Sequence, residues 1–227
     1  MTNQVKTKLI LEVANTGETI EMIDFRGVVA GYTGRDPVAV QQHIDELAAI
    51  GVAPPPSVPM FYPMQSALFD SSGEHSDNET LTSGEIEPVY IRHNGRFYLG
   101  IGSDHTDRDL ETVDIGGSKQ ACPKPISRQV IEIDDLESFS LDDAVACTWV
   151  DGSIYQVGPL SGLRTPADVV GLLLERTDIG NADFVCLGGT LPLINGEFRR
   201  GDNWKMHLEF PDGQEINHGY TMKKEQD

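Results

Sequence analysis

Two glutamates one residue apart, Glu85 and Glu87, are the first positions that ask for chemistry. In an extended strand residues i and i+2 project from one face, so the two carboxylates would lie side by side. Charges placed like this repel unless water solvates both or a cation sits between them. Alone, the pair fits either arrangement. The stretch Gly102-Ser-Asp-His-Thr-Asp-Arg-Asp109 adds to it, packing three Asp, one His, one Thr and one Arg into eight positions behind an apolar and aromatic strand. Such density serves a polar loop with local Asx turns, or a hard cation that takes carboxylates and water in octahedral geometry. Arg108 lies between Asp107 and Asp109 and reads most simply as a structural ion pair with them.

Two further groups carry chemical potential. His43 and Glu46 are three apart in a helical stretch and share one face. A carboxylate beside an imidazole orients it and raises its basicity, so the pair suits a general base that activates water. Two polar residues on a surface helix would look the same. Gly188-Gly189-Thr190 follows a strand and offers backbone N–H groups and a hydroxyl, which suits an anion such as a substrate carboxylate. An ordinary glycine turn has the same composition.

The elements that must position these groups follow from pattern. Residues 6–13 and 19–30 read as strands joined by a turn at Asn15-Thr16-Gly17. Asp36 as cap, Pro37 at the first helical position and Gly51 at the end delimit a helix whose apolar stripe is Val40, Ile44 and Leu47. The proline-rich run at 52–59 forces an extended segment. Residues 70–84 are polar and read as a mobile surface loop. Residues 85–91 and 96–101 form a hairpin turning at Asn94-Gly95, and 143–157 another turning at Asp151-Gly152. A second helix runs from Thr165, its N-cap, to Thr177, with Val169, Val170, Leu173 and Leu174 facing the core. Residues 183–187 and 203–221 are strand-like, the latter turning at Pro211-Asp212-Gly213. No repeat or linker interrupts the pattern. A single domain over 1–227 is expected, with residues 1–27 as its N-terminal strands.

Composition narrows the function classes. With 227 residues, 39% of them hydrophobic, the chain is long enough for a sizeable core and is not a disordered sequence. Its 23 Gly and 13 Pro favour many short strands over long helices. The net charge of -19, from 36 acidic and 17 basic residues, repels phosphate backbones and anionic lipids. Nucleic-acid and membrane partners are therefore not expected. The three cysteines, Cys122, Cys147 and Cys186, show neither CxxC spacing nor a disulfide framework and read as core or edge residues. No signal-peptide pattern or membrane-length apolar run is present, so a cytoplasmic protein is expected.

Taken in order, these features resemble the fumarylacetoacetate hydrolase superfamily and, more narrowly, a bacterial family of unknown function near it. The resemblance covers about residues 28–220. Gly31-Tyr32 and His43-Ile-Asp-Glu46 are similar to a Gly-x-Asn-Tyr stretch followed by His-x-x-Glu. Pro56-Ser-Val-Pro59, Phe61 and Ser66-Ala67-Leu68 are similar to a Pro-x-x-Pro, aromatic, Ser-Ala-Leu succession. Glu85 and Glu87 match a Glu-x-Glu metal pair. Ser103 to Asp109 match Asn-Asp-x-[Ser/Thr]-x-Arg-Asp, with Asp104 as third ligand. Lys119 with Cys122-Pro123, Gly152 to Gln156, Gly189-Thr190 and Gly201-Asp202 complete the series. Three departures fall around the substrate pocket. The family's Lys in a Phe-Leu-Lys-Pro-Pro stretch is replaced near Pro63, the Asn before the Tyr is unmatched, and Leu191 follows Gly189-Thr190 where a Pro is usual.

The resemblance implies an α+β, β-rich fold: a fumarylacetoacetase C-terminal-like mixed β-roll with a few short helices, usually a homodimer. It implies Mg²⁺ or Mn²⁺ on Glu85, Glu87 and Asp104, and a small anionic 2-oxo acid filling open positions on the ion. Lys119 would neutralise developing charge. Gly189 and Thr190, with Gln156 and Arg108, would hold the substrate. His43 with Glu46 would activate water. The implied reaction is hydrolysis of a C–C bond in an acylpyruvate-like 2-oxo or β-diketo acid, through a metal-stabilised enolate. A decarboxylase, tautomerase or hydratase would use the same centre without attacking water. A non-catalytic binding member is the third reading, and converging carboxylates argue against it because they are costly without a cation.

Overall fold

The computed structural model describes residues 8–49, 53–77 and 80–224. The first strands, β1 (Leu9–Val13) and β2 (Thr19–Met22), pair antiparallel, and the Val13 carbonyl accepts the Thr16 and Gly17 N–H groups in the turn between them. The chain then bends before β3 (Arg26–Gly31), so the single strand expected over 19–30 is two strands. At the bend Phe25 turns inward, edge-on against Phe69 with ring centroids 6.0 Å apart. Helix α1 (Pro37–Ala49) begins as its sequence indicates, with the Val38 N–H donating to Asp36 Oδ1 at 2.8 Å. Gly51, its expected terminator, lies outside the described residues.

The chain continues through β4 (Met60–Met64), β5 (Phe69–Asp70), β6 (Glu74–Asp77) and β7 (Thr82–Ser83). The described part of residues 70–84 thus contributes strands to sheets and is not a free loop. Next come β8 (Ile86–His93) and β9 (Arg96–Ser103), turning at Asn94 and Gly95 with φ of 51° and 81°, the left-handed pair that a tight hairpin needs. They lead to β10 (Thr106–Asp107), α2 (Arg108–Glu111), α3 (Ile115–Gln120), β11 (Lys124–Pro125) and β12 (Gln129–Ile133). The last part holds β13 (Val145–Val150), β14 (Ser153–Pro159), α4 (Pro166–Arg176), β15 (Phe184–Leu187), β16 (Asn203–Glu209) and β17 (Glu215–Lys224).

Two large sheets result. A curled eight-stranded mixed sheet has the order β2-β1-β12-β9-β8-β15-β3-β4, and a five-stranded sheet the order β14-β13-β16-β17-β6. Strand β6 enters the second sheet parallel to β17, while β7 pairs with β10 in a small ribbon. Side chains alternate along β8: Ile86 and Tyr90 join a cluster with Trp204, Met206 and Leu208 of the second sheet, and Val89 and Ile91 join another with Leu9, Leu11 and Val185. Helix α4 closes the first cluster through Val169, Val170 and Leu173. Burying each such side chain is worth roughly 1.5–3 kcal/mol. Strands β8 and β9 are therefore covered on both faces, and polar groups at their ends are carried into a dry setting. No helix among the described residues is long and apolar enough to cross a membrane. Cys122 and Cys186 are buried, Cys147 is partly so, and none of the three is in a disulfide.

Candidate active site

The β8–β9 hairpin carries the carboxylates. Glu87 projects from the same face as Val89 and Ile91 and is only 3% exposed. One of its oxygens accepts the Gly189 N–H at 2.8 Å. Gly189 has φ of 102°, and a Cβ there would lie 1.7 Å from the Thr33 hydroxyl oxygen, so only glycine permits this approach. Burial, and then the neighbouring Asp104, push the Glu87 carboxyl well above the usual carboxylate range. It makes no ion pair among the described residues.

Asp104 follows β9 and is 1% exposed. The Lys119 ammonium of α3 donates to its Oδ2, and the Lys124 ammonium of β11 lies 3.3 Å from its Oδ1. Burial alone would raise the Asp104 pKa, but Lys119 and Lys124 outweigh it and hold the carboxyl well below its ordinary value. Burial likewise opposes the Lys119 charge, yet Asp104 keeps that ammonium protonated beyond its usual range. Lys124 is wholly buried, donates to the His105 carbonyl at 2.5 Å, and is pushed down by burial. Even so, Asp104 Oδ1 remains a buried oxygen with no hydrogen-bond donor.

Glu85 takes another partner. Arg108 reaches it at 2.9 Å, Glu111 at 2.8 Å and the Ser83 hydroxyl at 2.7 Å, and lies 3.9 Å over the ring of Phe198. The ion pair expected with Asp107 and Asp109 does not form. Asp107 caps α2 by accepting the Leu110 N–H at 3.0 Å, and Asp109 accepts the Leu81 N–H at 3.1 Å. Four carboxylates (Glu85, Glu87, Asp104, Glu111) thus face three cations (Lys119, Lys124, Arg108).

Among the described residues no three His, Cys, Asp or Glu side chains are gathered closely enough to hold a metal as they stand. Glu85 turns to Arg108 and Asp104 to the lysines. The donor chemistry nonetheless fits a hard divalent ion. The set is all oxygen, Glu87 makes no ion pair among the described residues, and Asp104 Oδ1 has no hydrogen-bond donor.

The four residues expected to grip substrate are engaged by the protein itself. The Gln156 side-chain oxygen accepts the Ile86 N–H at 2.9 Å, and its nitrogen donates to Thr190 Oγ1 at 2.9 Å and the Leu191 carbonyl at 2.6 Å. Thr190 donates to the Ile86 carbonyl at 2.7 Å, Gly189 spends its N–H on Glu87, and Arg108 is enclosed by Glu85 and Glu111. Together Gln156, Gly189 and Thr190 lash the start of β8 to the loop after β15. Within this junction Gly189 is the residue that holds Glu87.

Helix α1 presents His43 and Glu46 to solvent, their side chains 61% and 79% exposed and 3.9 Å apart. They are not in contact with the carboxylates. The link is Tyr32, whose ring centroid is 6.3 Å from that of His43. Tyr32 has φ of 57°, a strained position for an aromatic residue. Burial raises its pKa while Lys119 pulls it back, so the ring stands within electrostatic reach of that ammonium. Tyr62 completes the wall, with its ring centroid 5.8 Å from Lys119 Nζ and its hydroxyl pushed up to about 12 by burial and Tyr32. Lys124, Tyr32 and Tyr62 were not legible as site residues. Nothing in a Pro-Lys-Pro sequence announces a buried ammonium, although the five-residue spacing from Lys119 is a retrospective clue.

The comparisons place this architecture. The sequence model of one family, described as a protein of unknown function (DUF2848), matches residues 30–220. The chain belongs to the DUF2848 family. No curated protein matches it. Among solved structures, this DUF2848 chain is similar to fumarylpyruvate hydrolase from Pseudomonas aeruginosa in complex with Mn²⁺ and pyruvate. The two are 14% identical, with a TM-score of 0.61 over 95% of this chain and 97% of that one. It is also similar to 5-carboxymethyl-2-hydroxymuconate delta-isomerase from Mycobacterium smegmatis, at 15% identity and a TM-score of 0.56 over 92% and 87% of the chains. A protein of Oleispira antarctica provisionally named a fumarylacetoacetate isomerase/hydrolase gives 13% identity and a TM-score of 0.63 over 96% and 100%. The DUF2848 chain therefore has the fumarylacetoacetate hydrolase fold, as the order of its motifs implied.

Proposed function

We propose that this protein is a divalent-metal-dependent hydrolase that cleaves a C–C bond in a small acylpyruvate-like 2-oxo acid, with Glu85, Glu87 and Asp104 holding Mg²⁺ or Mn²⁺. The observation that carries the reading is Glu87, a buried carboxyl with no ion-pair partner among the described residues, beside Asp104, whose Oδ1 has no hydrogen-bond donor. When bound, the ion would supply Lewis-acid stabilisation of negative charge on a keto oxygen. Glu85 would exchange its pairing with Arg108 for the ion, and Arg108 would remain tied to Glu111. Lys119 keeps its proton beside Asp104 and would steady negative charge on the substrate. Tyr32 and Tyr62 would form the apolar wall. His43, oriented by Glu46, would take a proton from water at its imidazole nitrogen once α1 packs inward. A cytoplasmic homodimer is part of this reading.

One observation favours a second reading. Because His43 and Glu46 face solvent, an isomerase or decarboxylase that needs no attacking water fits the geometry as it stands. Incubating Mn²⁺-loaded protein with acylpyruvates, oxaloacetate and 2-oxo-enoates, followed by mass spectrometry, separates the two. Two acids from one support hydrolysis; loss of CO₂ or a shifted double bond supports the second reading. If Mn²⁺ binding by calorimetry is unchanged in Glu87→Gln, the centre is misassigned and both readings fall.

A further inference from the structure

With Gln156, Gly189, Thr190 and Arg108 engaged internally, the question is what would meet the far end of an anionic substrate. The segment before α4 supplies a group. Gly34 and Leu163 form an antiparallel bridge, flanked by the Arg164 N–H donating to the Thr33 carbonyl at 2.9 Å and the Arg35 N–H to the Gly162 carbonyl at 2.8 Å. That pattern sets Arg164 directly opposite Thr33. Residues opposed in an antiparallel pair project to the same face. Leu163 points the other way, into the cluster between the two sheets. Thr33 lies against Gly189, whose N–H holds Glu87. Arg164 therefore stands on the Thr33 side of the bridge, separated from the Glu87 carboxylate by Thr33 and Gly189.

The Arg164 guanidinium is partly buried, and its Nε is a buried donor with no acceptor. It makes no ion pair and no side-chain hydrogen bond among the described residues. Arg35, Arg92, Arg96, Arg108, Arg176 and Arg200 all have such partners. Arg26 and Arg199 also make none among the described residues, but both are exposed, whereas Arg164 is partly buried with an unsatisfied buried Nε. A planar donor fork with an unsatisfied buried Nε matches a carboxylate, which it binds through two parallel hydrogen bonds.

We propose that Arg164 is a specificity-determining residue that receives a second carboxylate of the substrate, so that the preferred substrates are 2-oxo dicarboxylates. The proposal rests on the metal-centre reading for the first carboxylate and keto group. Its test is calorimetric binding to Mn²⁺-loaded protein of oxaloacetate, 2-oxoglutarate and 2-oxoadipate against 2-oxobutyrate, 2-oxovalerate and 2-oxohexanoate. Oxalate, which has no distal carboxylate, is the control. At least one diacid should bind about tenfold or more tightly than its monoacid counterpart. Arg164→Gln should level the pair while oxalate affinity stays within about twofold. A wild-type protein without diacid preference, or a variant that keeps it, overturns the proposal. If Arg164→Gln does not melt cooperatively, Arg164→Lys replaces it: charge stays, the fork is lost, and an undiminished preference overturns the idea equally. If oxalate fails to bind wild-type protein with Mn²⁺, the metal-centre reading fails on its own. The same diacid comparison on metal-free protein then decides the role of Arg164.

Discussion

Glu87 and Asp104 are sealed within and beside a hairpin covered on both faces, whereas His43 and Glu46 ride on a helix that buries only Val40 and Ile44. Each region supplies half of the proposed chemistry. Charges meant to hold an ion gain strength where water is excluded, and so they belong on strands that cannot yield. A base that must exchange protons with water belongs on an element whose opening costs little. The contrast teaches that burial separates the fixed half of the centre from the half that must approach.

The largest effect should come from the fixed half. Glu87→Gln should abolish Mn²⁺ binding and reduce turnover to background, yet raise the melting temperature of the metal-free protein. The sign follows from the raised pKa of Glu87. A carboxyl whose folded pKa exceeds its unfolded value destabilises the fold as pH rises above the unfolded value, and the penalty levels off above the folded pKa. The wild-type protein should therefore melt below the variant at neutral pH, at roughly 2–4 °C per kcal/mol for a chain of this size, and the gap should close in acid. Scanning calorimetry with a chelator checks this. A gap that persists in acid would contradict it.

The exposed half should break differently. His43→Ala should lower hydrolysis of an acylpyruvate by about 10²–10⁴-fold, the usual span for a general base. Mn²⁺ affinity should not change, and stability should move by no more than about 0.5 kcal/mol, since the side chain is largely exposed. Steady-state kinetics beside calorimetry reads both. Unchanged turnover would favour the reaction without attacking water.

How much of this could be read from the chain alone follows the same division. Local signals survived: Asn94-Gly95 turns its hairpin, Asp36 caps α1 and Thr165 caps α4 by accepting the Asp168 N–H at 3.2 Å. Each depends on residues within a few positions. The strands between 70 and 84 escaped because β5, β6 and β7 span two to four residues and pair with partners far along the chain, leaving no period to detect. The order of acidic motifs pointed to the centre. It did not reveal that Gln156 and Thr190 brace Ile86, or that Lys124 lies against Asp104, because those contacts are made by the tertiary fold.

Gly189→Ala tests the join between regions. The new Cβ would collide with Thr33, and the left-handed backbone would be strained, costing about 1–3 kcal/mol. Displacing the N–H from Glu87 should also raise that carboxyl further and weaken Mn²⁺ by roughly tenfold, about 1.4 kcal/mol. Titration calorimetry across pH reads this. A stability loss with unaltered Mn²⁺ affinity would mean that the Gly189 N–H does not tune Glu87.

The smallest effects come from two matched helix caps. Thr165→Ala and Asp36→Ala each delete one side-chain acceptor at a helix start. Losing the cap on α4 should cost about 1 kcal/mol of global stability, because Val169, Val170 and Leu173 tie that helix to the main core. Losing the cap on α1 should leave the melting temperature unchanged and quicken amide exchange within Pro37–Ala49, because that helix buries only Val40 and Ile44. If Asp36→Ala instead lowers the melting temperature as much as Thr165→Ala does, α1 is part of the cooperative core. A hinged approach of His43 to the carboxylates would then be ruled out.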